Sequence, residues 1–399
     1  MEGVFTNFEK VKEYLESLEQ QFGVRCTDCI VLQNHRVVFR HLNGTADVEK
    51  KRSLTEDNLH NIFSASKVMT MIAVMQLVEQ GMICLTDTLC KYLPEYKDMY
   101  VVDDFDLTDF TANYKFIFGW PDTNVKRSLA KTNITIEQMM SMTAGFSYNV
   151  AAPSTLRVLD NNPHASTQQI IRAFAENTLL YEPGTRYAYS YAHDILVAVV
   201  EVVSGMKFGD YMRKNVFDPV EAEDIWYQVP VSEMYRMTEL YAYDPQSGKH
   251  VAQTENGARI NDTYESGGAG IGCTVDAYSK VLDALANGGV AANGARILKS
   301  ESIDEMRRNR LNEQQLADFH IGGKLEYGYG LGVRTLLDPS RSKSPVGEFG
   351  WDGAAGAYVL ADPTNRLAVF YVQAAVESGP AFATIHPTLR DLVYDAIGA

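Results

Sequence analysis

Five cysteines in 399 residues are too few for a disulfide-built scaffold, and their odd number leaves at least one thiol unpaired. Long apolar runs are missing too. The longest helical apolar stretches, Val68–Leu77 and Ile195–Val203, fall short of the roughly eighteen residues that a membrane helix needs. Basic residues are in deficit, with 36 Lys and Arg against 51 Asp and Glu, a formal net charge of −15. Such a balance repels phosphate backbones and anionic lipid surfaces, so neither nucleic acid nor a membrane is an expected partner. The 29 glycines and 13 prolines follow no period, which excludes collagen-like and low-complexity classes. Met1-Glu2-Gly3-Val4-Phe5 runs directly into Lys10, Glu13, Glu16 and Glu19, without the apolar stretch of a secretion leader. Together with the odd cysteine count, this points to the cytoplasm. What remains is an ordinary globular composition, 46% apolar and 22% charged, long enough for one large domain or two to three smaller ones.

Periodicity sketches the order of elements. Phe5, Phe8, Val11, Tyr14, Leu15 and Leu18 recur at helical spacing, so 5–22 is predicted helical. Cys29–Leu32 and Val37–Phe39, parted by Gln33-Asn34, predict a hairpin. Helices are predicted at 64–80, 136–142, 194–203, 274–287 and 387–397. Strands are predicted at 330–334, 357–360 and 367–372. Residues 97–133, polar and aromatic without a period, read as a long excursion whose Tyr, Phe and Trp wall a pocket. Strands at both ends with helices between them predict a sheet assembled from both termini around a helical insertion.

Three short segments carry chemistry. Ser64-Ala65-Ser66-Lys67 opens a helical pattern, so Ser64 and Lys67 share one face one turn apart. A lysine in a desolvated pocket gives up its proton more readily and can then take one from a serine. The same spacing recurs at Ser128–Lys131, Ser204–Lys207 and Ser340–Lys343, but only Ser64 precedes an apolar periodic run. The second segment, Pro183 to Tyr191, presents Tyr189 in a turn before a helix, where a tyrosine can act as a general base. The third, Phe349-Gly350-Trp351-Asp352-Gly353-Ala354-Ala355-Gly356, lets substrate approach the backbone and can offer a strand-edge N–H to an oxyanion. Each has a plainer reading: a helix-capping serine with a surface lysine, one of 22 tyrosines, and a glycine-rich turn.

In this order the three segments resemble the serine β-lactamase and penicillin-binding-protein superfamily, whose Ser-x-x-Lys signature they carry. In particular they resemble its class C branch, with the family VIII carboxylesterases and related transesterases. Tyr92-Leu93-Pro94-Glu95-Tyr96, Met139 to Gly145, Gly267-Gly268-Ala269-Gly270, Tyr327-Gly328-Tyr329-Gly330 and Asp362-Pro363 extend the likeness over nearly the whole chain. The resemblance implies an α/β (α+β) fold, with an antiparallel sheet from both termini flanked by helices and a mostly helical inserted domain. It divides the chain into 1–60 plus 270–399 and 61–269, with the active site between. It implies an enzyme without metal or cofactor, acting on a small-molecule acyl substrate. Ser64 would be the nucleophile, Lys67 would move its proton, and Tyr189 would be the second base or acid. The N–H groups of Ser64 and Ala354 would hold the oxyanion, and Trp351, Gly353 and Tyr191 would meet the substrate.

The departures narrow the substrate. Where β-lactamases carry Tyr-x-Asn, this chain has Tyr189-Ser190-Tyr191, and it has no Lys-Thr-Gly. Its one His-x-Gly, His320-Ile321-Gly322, precedes the Tyr-Gly-Tyr-Gly landmark instead of following it. Trp351 stands in place of the cation that would meet a substrate carboxylate, and an indole suits an apolar group. Family VIII esterases are similar in Trp-x-Gly and in an acid after the tyrosine, here Asp194. A small neutral ester is therefore the expected substrate. The alternatives are a β-lactam or D-amino-acid amide, and a non-catalytic acyl-ligand-binding homologue. Cys26-Thr27-Asp28-Cys29 suggests redox or zinc chemistry only weakly, since no second ligand pair accompanies it. Gly145-Phe146-Ser147-Tyr148-Asn149 misses the Gly-x-Ser-x-Gly elbow at its last position.

Overall fold

Alternate residues of the strand at Cys26–Gln33 (β1) enter different cores. Ile30 and Leu32 face the larger one, while Cys29 and Val31 face a smaller one on the other side of the sheet. The computed structural model describes residues 8–47, 51–103, 125–253 and 260–399. In it β1 lies inside an eight-stranded sheet. The other strands are β2 (Arg36–Asp47), β3 (Arg52–Ser53), β4 (Tyr327–Tyr329), β5 (Arg334–Leu336), β6 (Phe349–Gly350), β7 (Tyr358–Asp362) and β8 (Leu367–Val372). Their order is β4-β5-β6-β7-β8-β1-β2-β3, and every neighbouring pair is antiparallel. The seam between the two ends of the chain is the β1–β8 pair, with Asp28 opposite Val372 and Gln33 opposite Leu367.

One face of the sheet is covered by α1 (Glu9–Phe22) and the C-terminal helix. Val11, Leu15 and Leu18 meet Leu389 and Val393 over Val31 and Val369. The other face packs on the helix Val275–Ala286, where Tyr278 stacks on Phe370 with ring centroids 4.2 Å apart. Beyond it lies α2 (Ser66–Glu79), in which every residue from Ser66 to Leu77 is buried. A helix apolar on all sides belongs inside a core, and this one anchors the site at its N-terminal end.

Several predicted elements differ in extent. The strand read at 330–334 is broken: Gly330 to Val333 form the turn between β4 and β5. A Cβ at Gly330 would meet the Met306 carbonyl at 2.0 Å, and Gly332 has φ +78°, which only glycine adopts freely. The hairpin of Leu240–Asp244 with Lys249–Gln253, and the helices at Ser300–Arg307 and Glu313–His320, had no counterpart in the sequence reading. Of the excursion at 97–133, residues 104–124 and the aromatic wall assigned to them lie outside the described residues. The flanks Tyr100–Val102 and Arg127–Leu129 pair as a two-stranded ribbon. Among the described residues, no helix is long and apolar enough to cross a membrane.

Candidate active site

A short 3₁₀ turn, Phe63–Ala65, leads into α2 and carries Ser64. Phe63, just before it, has φ +47°, an unfavourable backbone for a bulky residue that costs about 1–2 kcal/mol and recurs at functional sites. Lys67 is fully buried and donates to three acceptors: Ser64 Oγ at 3.2 Å, the Tyr148 hydroxyl at 3.1 Å and the Gly268 carbonyl at 2.8 Å. At the other three Ser-x-x-Lys positions Lys131, Lys207 and Lys343 are all exposed, so burial separates the first pair from its imitations.

Tyr189 arrives from the turn that precedes the helix Ala192–Ser204, and its hydroxyl donates to Ser64 Oγ at 2.6 Å. Trp351 and Lys67 both bear on Tyr189. The Trp351 indole N–H donates to its oxygen at 3.3 Å, the Trp351 ring stacks at 5.7 Å, and Lys67 Nζ lies 4.6 Å from its ring centroid. The sequence reading missed Tyr148, which stacks on Tyr189 at 5.2 Å and bonds to Lys67. Burial, and then the neighbouring Tyr189 and Asp194, push its phenol well above the ordinary tyrosine range. Its only sequence signal was membership of the failed elbow Gly145–Asn149.

The Trp351–Ala354 turn is anchored by buried charge. Asp352 accepts from Lys324 Nζ at 2.5 Å and from Arg334 Nη1 at 3.0 Å. Burial raises the Asp352 carboxyl, but Arg334 and Lys324 outweigh burial and hold it well below the usual carboxylate range. Arg334 also reaches Glu348 at 3.4 Å and the Val359 carbonyl at 3.0 Å. A Cβ on Gly353 would lie 2.1 Å from the Ile62 carbonyl. Only glycine therefore lets this turn close against the residue two before Ser64. Ala354 follows at the exposed tip of the turn.

The structure thus brings Ser64, Lys67, Tyr189 and Trp351 into one hydrogen-bonded group, with Gly353 and Ala354 on the adjoining turn. Tyr191 is placed elsewhere. It is buried in the helical core against Phe174 at 4.5 Å and Phe146 at 5.5 Å, and its hydroxyl accepts from Asn177 Nδ2 at 3.1 Å. His193 is also buried, and among the described residues neither ring nitrogen has a partner. Burial, with Lys67 nearby, drives its pKa far below the ordinary histidine value, so it stays neutral. Cys26 and Cys29 are free thiols whose side chains join separate cores, and burial pushes Cys26 up to about 12 and Cys29 higher still. Neither is placed for redox exchange with the other.

Residues 11–393 match the Beta-lactamase family model. A lovastatin esterase of Penicillium rubens is 26% identical over 367 residues, covering 87% of each chain. The solved structure of EstCE1, a hydrolase with promiscuous acyltransferase activity, superposes with a TM-score of 0.77 at 20% identity, over 97% of this chain and 98% of that one. A family VIII carboxylesterase superposes at 0.74 with 21% identity, over 98% and 96%. These likenesses agree with the antiparallel sheet and the flanking helices described above. With nearly its whole length matched by that one family model, the chain belongs to the Beta-lactamase family.

Proposed function

We propose that this protein is a serine hydrolase that takes an acyl group onto Ser64 and hydrolyses small neutral carboxylic esters, or passes the acyl group to a small alcohol or amine. One observation carries the reading: Ser64 Oγ is bonded both to a fully buried lysine, at 3.2 Å, and to Tyr189, at 2.6 Å. The Ser64 proton leaves to the Lys67–Tyr189 pair as Oγ bonds to the ester carbonyl carbon. The oxyanion is received by the Ser64 and Ala354 N–H groups. Tyr189 then returns the proton to the departing alkoxide as the C–O bond breaks. Water or an acceptor alcohol repeats the sequence on the acyl-enzyme.

The neutral-ester preference rests on charge. Lys324 and Arg334, the cations bound to the Trp351 segment, are both committed to Asp352. Trp351 itself offers an apolar surface beside Tyr189. The esterase and acyltransferase names among the relatives point the same way. The test is hydrolysis of p-nitrophenyl butyrate beside a chromogenic cephalosporin. Ester turnover well above cephalosporin turnover is the expected result; the reverse order overturns the ester reading. Trp351→Ala should change the ranking of p-nitrophenyl esters by about tenfold between short and long acyl chains. An unchanged ranking removes Trp351 from the acyl pocket.

A further inference from the structure

Asp194 lies in the first turn of the helix Ala192–Ser204, where a negative charge is favoured by the helix start. The structure gives its carboxylate specific partners. It is buried, and its Oδ1 accepts the Ser266 hydroxyl at 2.6 Å and the Tyr264 hydroxyl at 2.9 Å. The Gly268 N–H donates to the same carboxylate. These donors belong to one segment, 264–268, and the carbonyl of its last residue is the shortest of the three contacts around Lys67 Nζ. The packing leaves no slack. A Cβ on Gly268 would stand 2.5 Å from Asp194 Oδ2, 3.0 Å from the Tyr148 hydroxyl and 3.3 Å from Lys67 Nζ. One glycine separates a buried carboxylate from the buried amine.

We infer that Asp194 is a positioning residue: by clamping the 264–268 segment it fixes the Gly268 carbonyl against Lys67, and its charge balances that amine inside the core. The inference rests on the Ser64 chemistry proposed above. The groups facing this pair come from several elements: Lys67 from α2, Tyr148 and Tyr189 from their loops, Tyr227 and Tyr264 across the segment, and His193 beside Asp194. Glu265, a second carboxylate in the clamped segment, accepts the Gly209 N–H at 2.8 Å on the other side, whereas Asp194 is bonded to the segment beside Lys67. Burial prevails and raises its carboxyl above the ordinary aspartate value, while the Ser266 hydroxyl, Lys67, the Tyr264 hydroxyl and the Gly268 N–H oppose that rise and favour the charged form.

The experiment follows covalent capture of Ser64 by a fluorophosphonate, read by intact mass across pH, because capture needs an activated serine but no knowledge of the natural ester. Asp194→Asn keeps the shape and removes the charge. Its plateau labelling rate should fall about tenfold or more. Its acid limb should move to lower pH by about one unit, since loss of a nearby anion disfavours the protonated cluster. Ser266→Ala combined with Tyr264→Phe loosens the clamp and keeps the charge. That variant should label more slowly with the acid limb unmoved, and it carries the test should Asp194→Asn fail to fold. A wild-type rate in the double variant, or an unmoved acid limb in a folded Asp194→Asn, overturns the inference. Wild-type protein that takes no label, or takes it equally in Ser64→Ala, overturns the functional reading instead.

Discussion

Ester turnover should fall to the uncatalysed background in Ser64→Ala, a loss of about three to six powers of ten, while the protein stays folded. Ser64 is only partly buried, and its side chain contributes one small hydroxyl to the packing, so thermal melting should be nearly unchanged. Lys67→Ala should cost a comparable factor, because a nucleophile without its proton acceptor is an ordinary alcohol. Tyr189→Phe should also cost several powers of ten, since it removes the shortest contact to Ser64 Oγ and the group placed to protonate the leaving alkoxide. The Lys67→Ala/Tyr189→Phe pair should lose little more than either alone, as groups acting as a unit are not additive. Initial rates on p-nitrophenyl butyrate, with circular dichroism on each variant, check the set. A Tyr189→Phe enzyme at wild-type rate would take Tyr189 out of the proton path and leave Tyr148, 3.1 Å from Lys67, as the remaining phenol.

The largest stability loss is expected at Arg334→Leu. Arg334 is 1% exposed and lies between Asp352 and Glu348, both buried. Removing one partner from such a group strands charge in the core and costs about 3–5 kcal/mol. The sign of its pH dependence follows from Asp352. Burial raises that carboxyl, but Arg334 and Lys324 prevail and hold it below its unfolded value. Its contribution is therefore present above the ordinary carboxylate range, about pH 4, and is lost as pH falls toward the folded value. Arg334 also lowers Glu348, whose carboxyl burial has raised. Without the guanidinium both acids protonate more easily. The gap between wild type and Arg334→Leu should thus be widest near neutral pH and narrow in acid, as urea melts at pH 7 and pH 4 would show. A gap that is constant or widens in acid would exclude this account. Activity should fall with stability, because Asp352 ties the Trp351 turn to the sheet.

The parts of the site most legible in sequence were those whose chemistry fixes residue type and spacing. Ser64 and Lys67 lie one helical turn apart. Gly353 is required where its backbone meets the Ile62 carbonyl, and Trp351 stands two residues before it. Tyr148 was illegible because its partner, Lys67, is 81 residues away, and nothing local distinguishes it from the other tyrosines. Tyr191 misled for the opposite reason. Its position in a motif suggested a substrate contact, but an aromatic ring at the start of a buried helix is held by Phe146 and Phe174. The β8 strand was read to the residue because both of its faces are buried and its apolar run is continuous. The hairpin at 240–253 escaped notice because its second strand is almost wholly exposed and has no apolar alternation.

The seam at which β1 pairs with β8 has a consequence for the order of assembly. Residue 28 must find residue 372 before the central strand has both neighbours, a closure that spans most of the polypeptide. On the ribosome Ser64, Lys67 and Tyr189 emerge long before the turn that carries Trp351 and Ala354. Until the final strands are made, β1 offers an open edge on the β8 side, and edges of that kind attract other strands. The proposed acyl chemistry therefore waits until residue 372 has paired with residue 28, and until then the central strand stays unprotected on that side.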